Sequence, residues 1–217
     1  MGTLGEMTGG ILRLPRIFTA SPLAARIAPV ASGQLEIVRQ QAEAISLRAK
    51  ELIAGRSEAE LAISLEHTSW SVAQCFDHLA QTTNAFVPSI SSAIARAPRL
   101  TSDRTLKTGA LTRLFLRNLE PPYRLRFKVL APLVPRQRNF HSSWAAFLDS
   151  QVQLAKMIRS AAGLAVDQVK IESPVYARFS YNVYGALRML TAHQRRHLWQ
   201  IEQILKTLDG AKVRNAS

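Results

Sequence analysis

Apolar positions recur at helical spacing in four separate stretches of the chain. In residues 33–54 the inward positions are Leu35, Val38, Ala42, Ile45, Ala49 and Leu52. Spacings that alternate between three and four put all six on one helical face. Ser32 is placed to cap that helix, and Gly55 to stop it in the left-handed conformation that closes a last turn. Residues 56–70 read as a connection with a short helical turn within 57–65. A second helix is predicted from Trp70 to about residue 97, on Val72, Cys75, Leu79, Phe86 and Ile90. Ser71 followed by Gln74 is a capping box at its start. Pro88 is placed to kink it and Pro98 to end it. A third helix, over 142–162, rests on Trp144, Leu148, Gln151, Ala155 and Ile158 and ends at Gly163. A fourth, over 180–208, carries Val183, Ala186, Leu190, His193, His197, Ile201, Ile204 and Leu208 and is closed by Gly210. No β alternation and no internal repeat is sustained. Residues 99–138 hold one short amphipathic pattern, 108–119, followed by Pro121, Pro122, Pro132 and Pro135. That proline density predicts an extended crossing segment. The expectation is an all-α protein, a four-helix bundle over 32–210 with a long basic connection between its second and third helices. Residues 1–31 form a flexible leader and 211–217 a tail.

Composition narrows this picture. A chain of 217 residues holds one domain with a terminal extension, and it can bury enough surface to fold without a disulfide or a metal. Its single cysteine excludes an intrachain disulfide framework and a Cys-rich zinc site. It suits a reducing compartment, and a cytoplasmic location is expected. No apolar run approaches the ~18 residues that a membrane-spanning helix needs. In residues 1–31, Arg13, Arg16 and Arg26 interrupt any signal-peptide core; the Arg-rich, acid-poor composition faintly resembles an organellar transit peptide, but a disordered leader or an upstream start ranks first.

Charge adds a second possible role. The net charge is +13, from 28 basic and 15 acidic residues. Residues 99–138 contain ten basic residues against Asp103 and Glu120, so eight of the thirteen net charges sit there. Phe115, Tyr123 and Phe127 interleave with Arg113, Arg117, Arg124 and Arg126. Such a pattern can suit nucleic acid or an acidic partner. No nucleic-acid motif accompanies it, so a solvated connection whose aromatics plug the bundle ranks first. A non-enzymatic basic binding module is the alternative function.

The chemistry-bearing residues lie on the helices. His193 and His197 are four apart, so both rings leave one helical face at neighbouring heights. Alone, that spacing more often marks surface histidines. Between Leu190 and Ile201, however, the two would point into the core, where unsatisfied imidazoles are costly. His78, three residues after Cys75, falls on or beside the inward stripe of the second helix. Three converging imidazoles would leave open coordination positions, as catalytic metal sites do. Cys75 reads first as a small buried hydrophobe and second as a soft ligand. His67 and His141 read as solvated residues. Asp77 and Gln200 are placed for a supporting role. Arg195 and Arg196 are placed to clamp an anion or to face solvent. No carboxylate lies on an inward stripe, which weighs against a hydrolase with a glutamate base.

The start Trp70-Ser71 with His78-Leu79, and the run Ala192-His193-Gln194-Arg195-Arg196-His197-Leu198-Trp199-Gln200-Ile201, resemble the DinB/YfiT-like superfamily over roughly residues 33–209. The resemblance implies a four-helix bundle, often dimeric, with a histidine triad that binds zinc, nickel or another divalent metal. It maps the triad onto His78, His193 and His197, with Asp77, Gln200 and Arg196 as supporting or substrate residues. Characterised relatives include S-transferases and isomerases that use low-molecular-weight thiols such as bacillithiol or mycothiol, so the resemblance further implies a small-molecule substrate and a metal that activates a thiol or water, with transfer of an anionic thiol as the leading reaction. Neither a specific nucleic acid nor a membrane span is implied.

Overall fold

A computed structural model describes residues 30–65, 69–121, 123, 129–136, 139–176 and 178–216. Residues 1–29 of the expected leader and His67 lie outside the described residues, while Val30 and Ala31 already belong to the first helix. The described residues form six α-helices and one small hairpin: α1 (Val30–Ile53), α2 (Glu58–Leu61), α3 (Val72–Ala95), α4 (Ala110–Leu119), α5 (Phe140–Ser160), β1 (Lys170–Glu172), β2 (Ser180–Asn182) and α6 (Val183–Ala216). A single 3₁₀ turn, Ala131–Leu133, stands between α4 and α5. The protein is mostly helical, as the periodicity predicts. Among the described residues, no helix is long and apolar enough to cross a membrane.

Helix α3 packs against α5 and α6, and α1 packs against the same two partners. The α1 stripe is buried from Leu35 to Ala49 as predicted. Gly55 and Gly163 carry φ of 73° and 72° and end α1 and α5. Ser71 and Gln74 form both halves of the capping box of α3. That helix runs unbroken through Pro88 and is buried on most of its circumference, as a central element must be. Phe76, outside the predicted stripe, is fully buried among Phe140, Trp144 and Phe147.

Three expectations need correction. On α5 the buried stripe is Phe140, Ser143, Phe147, Ser150, Gln151, Leu154, Met157 and Ile158, while Trp144, Leu148 and Ala155 are half-buried. The face is rotated by about one residue, or ~100°. Two serines disguise it. The Ser150 hydroxyl is satisfied within the helix by the Phe147 carbonyl at 2.7 Å, so a small polar residue can face α3. Second, α6 does not stop at Gly210 but continues to Ala216. Arg56 holds Asp209 at 2.7 and 2.8 Å, and Lys212 reaches Glu60 at 3.0 Å. These pairs fix the last turns against the α1–α2 region. Third, residues 170–182 form an antiparallel hairpin pairing Ile171 with Tyr181. Each strand has three residues, too few to show alternation.

The basic connection is more structured than an extended crossing. Leu106, Thr108, Thr112, Leu116, Leu119 and Leu133 are buried, and α4 packs on α6. Several polar contacts anchor it. Gln34 donates to the Leu106 carbonyl and accepts from the Leu106 N–H. Arg104 grips Asp167 at 2.6 and 2.8 Å. Burial opposes ionisation of Asp167, but the Arg104 guanidinium and the Lys107 N–H outweigh it and hold the carboxyl below its usual range. Asn182 caps α6 by accepting from the Gly185 N–H at 2.7 Å and donates to the Lys107 carbonyl. A Cβ at Gly185 would meet Asn182 Oδ1 at 2.9 Å and the Thr112 methyl at 3.1 Å. Gly185 thus permits the close seating of α4 on α6. Gly185→Ala should cost about 1–3 kcal/mol, as overpacking at a tight contact does. Urea denaturation of the variant should show a lower midpoint with an unchanged slope.

Candidate metal centre

Helices α3 and α6 bring His78, His193 and His197 to one height. The Nε2 atom of His193 lies 3.2 Å from that of His78 and 3.1 Å from that of His197. The three candidate ligand atoms all fall within 4.8 Å of one another. His78 is nearly fully buried, His197 is buried, and His193 is half-buried. The indole of Trp70, just before the cap of α3, packs at 4.8 Å from the His78 ring and stacks at 5.8 Å on the His197 ring. It walls the rings from solvent on that side.

The other ring nitrogens are fixed. His78 Nδ1 donates to the Leu133 carbonyl at 2.8 Å. A carbonyl can only accept, so the proton is on Nδ1 and the Nε2 lone pair faces the cluster. His197 Nδ1 donates to Gln200 Oε1 at 2.9 Å, with the same result. The single N–H that His193 Nε2 can carry satisfies only one of its two neighbours. Three nitrogens packed this closely, with at most one proton among them, match the donor set of a cation. This arrangement fits a divalent metal-binding site.

Electrostatics act in the same direction. Burial lowers the His78 pKa, and the Leu133 hydrogen bond and the Asp77 charge only partly offset it. His193 is lowered well below its ordinary value by burial, then by His197 and His78. Burial, then His78, lowers His197 to about 3. All three rings are therefore neutral at pH 7, the form that binds a metal.

The supporting residues divide. Gln200 contacts the triad directly. Asp77 does not: its Oδ2 accepts from Gln81 Nε2 and from the Arg136 N–H, both at 2.7 Å. Through Arg136 it holds the segment whose Leu133 carbonyl orients His78. Arg196 donates to the Asn118 carbonyl at 3.1 Å and lies 5.2 Å over the Tyr123 ring, on the wall of the adjoining cavity. Arg195 turns away and pairs with Glu120. Cys75 is fully buried, and burial pushes its thiol pKa up, so it behaves as the apolar residue the sequence suggests. His141 is exposed. The sequence reading missed Leu133, whose backbone carbonyl carries no sequence signal. It also passed over Thr82, which its place four residues after His78 would have put on the same face.

A family model described as the DinB superfamily matches residues 37–201. The chain belongs to the DinB superfamily. No curated protein and no solved structure matches it. The match spans α1 to the middle of α6, so it includes all three histidines of this DinB protein.

Two outcomes follow from this geometry. Protonating the triad is disfavoured only in the folded state, so the metal-free protein is most stable above the ordinary histidine pKa of about 6.5. Its melting temperature should fall as pH drops from ~6.5 toward the lowered value of His197, and His197→Gln should flatten that slope in a calorimetric pH series. In addition, Asp77→Ala should weaken metal retention about 10-fold or more by loosening the Leu133 carbonyl, a typical effect for such a supporting contact. Competition against a chromophoric chelator would measure it.

Proposed function

We propose that the chain is a DinB-like four-helix bundle metalloprotein whose His78, His193 and His197 hold one divalent cation, zinc or nickel, for catalysis. The observation that carries this reading is the convergence of three neutral imidazoles, two of which, His78 and His197, are locked from outside by Leu133 and Gln200. Three imidazoles leave further coordination positions open, which favours a catalytic over a purely structural ion.

A cation held there would supply Lewis acidity, making a thiol or water nucleophilic near neutral pH. The chain's own residues supply position and environment. Trp70 and the buried helix faces exclude water from one side of the triad. Arg196 offers a fixed positive charge beside the cavity, suited to an anionic thiol substrate. Among the described residues, the metal-ligand cluster contains no carboxylate, so a protein general base is not part of the reading. Thiol transfer fits this best, because the metal itself would generate the thiolate. A homodimer remains part of the proposal on the family resemblance alone, and a cytoplasmic location on the single cysteine.

The basic binding module is less well supported. In the stretch said to bind, Arg104 is committed to Asp167 and Arg113 donates to the Thr108 carbonyl, while Phe115 and Tyr123 line the cavity.

Elemental analysis of untagged protein should find close to one divalent ion per chain, and that ion should be required for consumption of a low-molecular-weight thiol. The core does not depend on the ion: buried Leu79, Phe86, Leu190 and Ile201 each contribute roughly 1.5–3 kcal/mol. His193→Ala should therefore keep its helical circular dichroism while losing metal. A chain that takes up neither zinc nor nickel at micromolar concentration would end the metalloprotein reading.

A further inference from the structure

A cavity of about 1050 Å³ opens beside the triad. That is at the top of the roughly 300–1,000 Å³ range of ordinary ligand pockets, and more than a small thiol or a water needs. Its walls come from α3, α4, α6, residues 129–134 and the β1–β2 hairpin. Polarity along it is uneven. On α3 the wall residues are His78, Thr82 and Phe86, each four apart, and α6 contributes Met189, His193, Arg196, His197 and Gln200 together with the apolar Trp199 and Ile204. Phe86 is eight residues from His78, or about 12 Å along the helix at 1.5 Å per residue. The imidazole and guanidinium groups therefore gather at the triad, and Phe86, Phe115, Tyr181 and Met189 line the chamber beyond it, where the hydroxyls of Thr112, Ser173 and Ser180 are interspersed. Phe86 and Tyr181 close on each other with ring centroids 6.1 Å apart.

Thr82 sits at the boundary. It is 5% exposed, and its hydroxyl has no hydrogen-bond partner among the described residues although it lines the cavity. A buried hydroxyl without a partner costs free energy, and a ligand polar atom would relieve it. The Arg196 guanidinium, also on the wall and partly desolvated, supplies the charge for an anion.

We propose that this chamber binds the substrate body, and that the substrate is an amphipathic anion. Its acidic end sits between Arg196 and the triad, a polar atom reaches Thr82, and a long apolar body extends past Phe86, Phe115 and Met189 to the hairpin. This deepens the metal-site reading and rests on it for the placement of the reacting end. The apolar part of the inference rests on the cavity alone.

Two classes of variant separate the parts of the recognition. Met189→Trp and Val175→Trp fill the chamber from α6 and from the hairpin, without touching the triad. Arg196→Gln removes the charge, and Thr82→Val removes the hydroxyl at constant shape. The probe is cis-parinaric acid, a fluorescent polyene carboxylate, compared with its uncharged methyl ester. The wild-type protein should bind one equivalent of the acid saturably. Met189→Trp and Val175→Trp should each weaken binding tenfold or more while keeping wild-type circular dichroism. Arg196→Gln should weaken the acid tenfold and leave the ester unchanged, and Thr82→Val should weaken the acid several-fold. Absence of saturable binding, binding indifferent to both chamber variants, or equal affinity for acid and ester would each overturn the proposal. Metal content measured on the same samples keeps the two readings apart. A metal-loaded protein that ignores the probe sinks the substrate class and spares the metal site. A protein that binds the probe but no metal does the reverse.

Discussion

The hydrogen bond from His78 Nδ1 to the Leu133 carbonyl, 2.8 Å long and buried, determines what the centre of this protein can be. It fixes one imidazole tautomer and so presents an unprotonated nitrogen to two other imidazoles. Without it the ring could turn its N–H inward and the cluster would become a hydrogen-bonded trio. With it, and with the matching bond from His197 to Gln200, the three rings form a set of lone pairs in a low-dielectric surround. Such a set is stable only while the rings stay neutral or share a cation.

Much of the remaining fold serves that bond. Leu133 is carried by a segment 55 residues beyond His78 in the chain, so its position depends on the whole connection between α3 and α5. That connection is tied down at intervals: to α1 through Gln34, to the α5–β1 loop through Arg104 and Asp167, to the end of β2 through Asn182, and to α3 through Asp77. Gly185 lets α4 sit close enough to α6 to close the same wall. The basic charge of the stretch is therefore partly absorbed in structural pairs, and its apolar residues line a cavity.

The triad was legible in the sequence because helical periodicity converts spacing into direction. His193 and His197 share a stripe with Leu190 and Ile201, and His78 follows a strong capping box that fixes where its helix starts. Gly55 and Gly163 were legible because their backbone conformation selects glycine. The rest failed for identifiable reasons. The α5 face was misjudged because Ser143 and Ser150 read as polar, although small size suits both to a helix contact and an internal hydrogen bond satisfies Ser150. Gly210 looked like a stop, but ion pairs across to Arg56 and Glu60 carry the helix past it. The hairpin is too short to leave a period, and the cavity is built by segments remote in sequence, which no local pattern can report.

Asp77 and His78 are neighbours on α3, yet both bind the segment that follows the 3₁₀ turn or forms it: Asp77 takes the Arg136 N–H and His78 gives its proton to Leu133. Leu133 and Val134 in turn form part of the cavity wall. The same few residues are thus both the latch of the chamber and the clamp on the His78 ring. Any movement that lifts this wall to admit a molecule must release the His78 tautomer, so opening the chamber and freeing that imidazole are one motion.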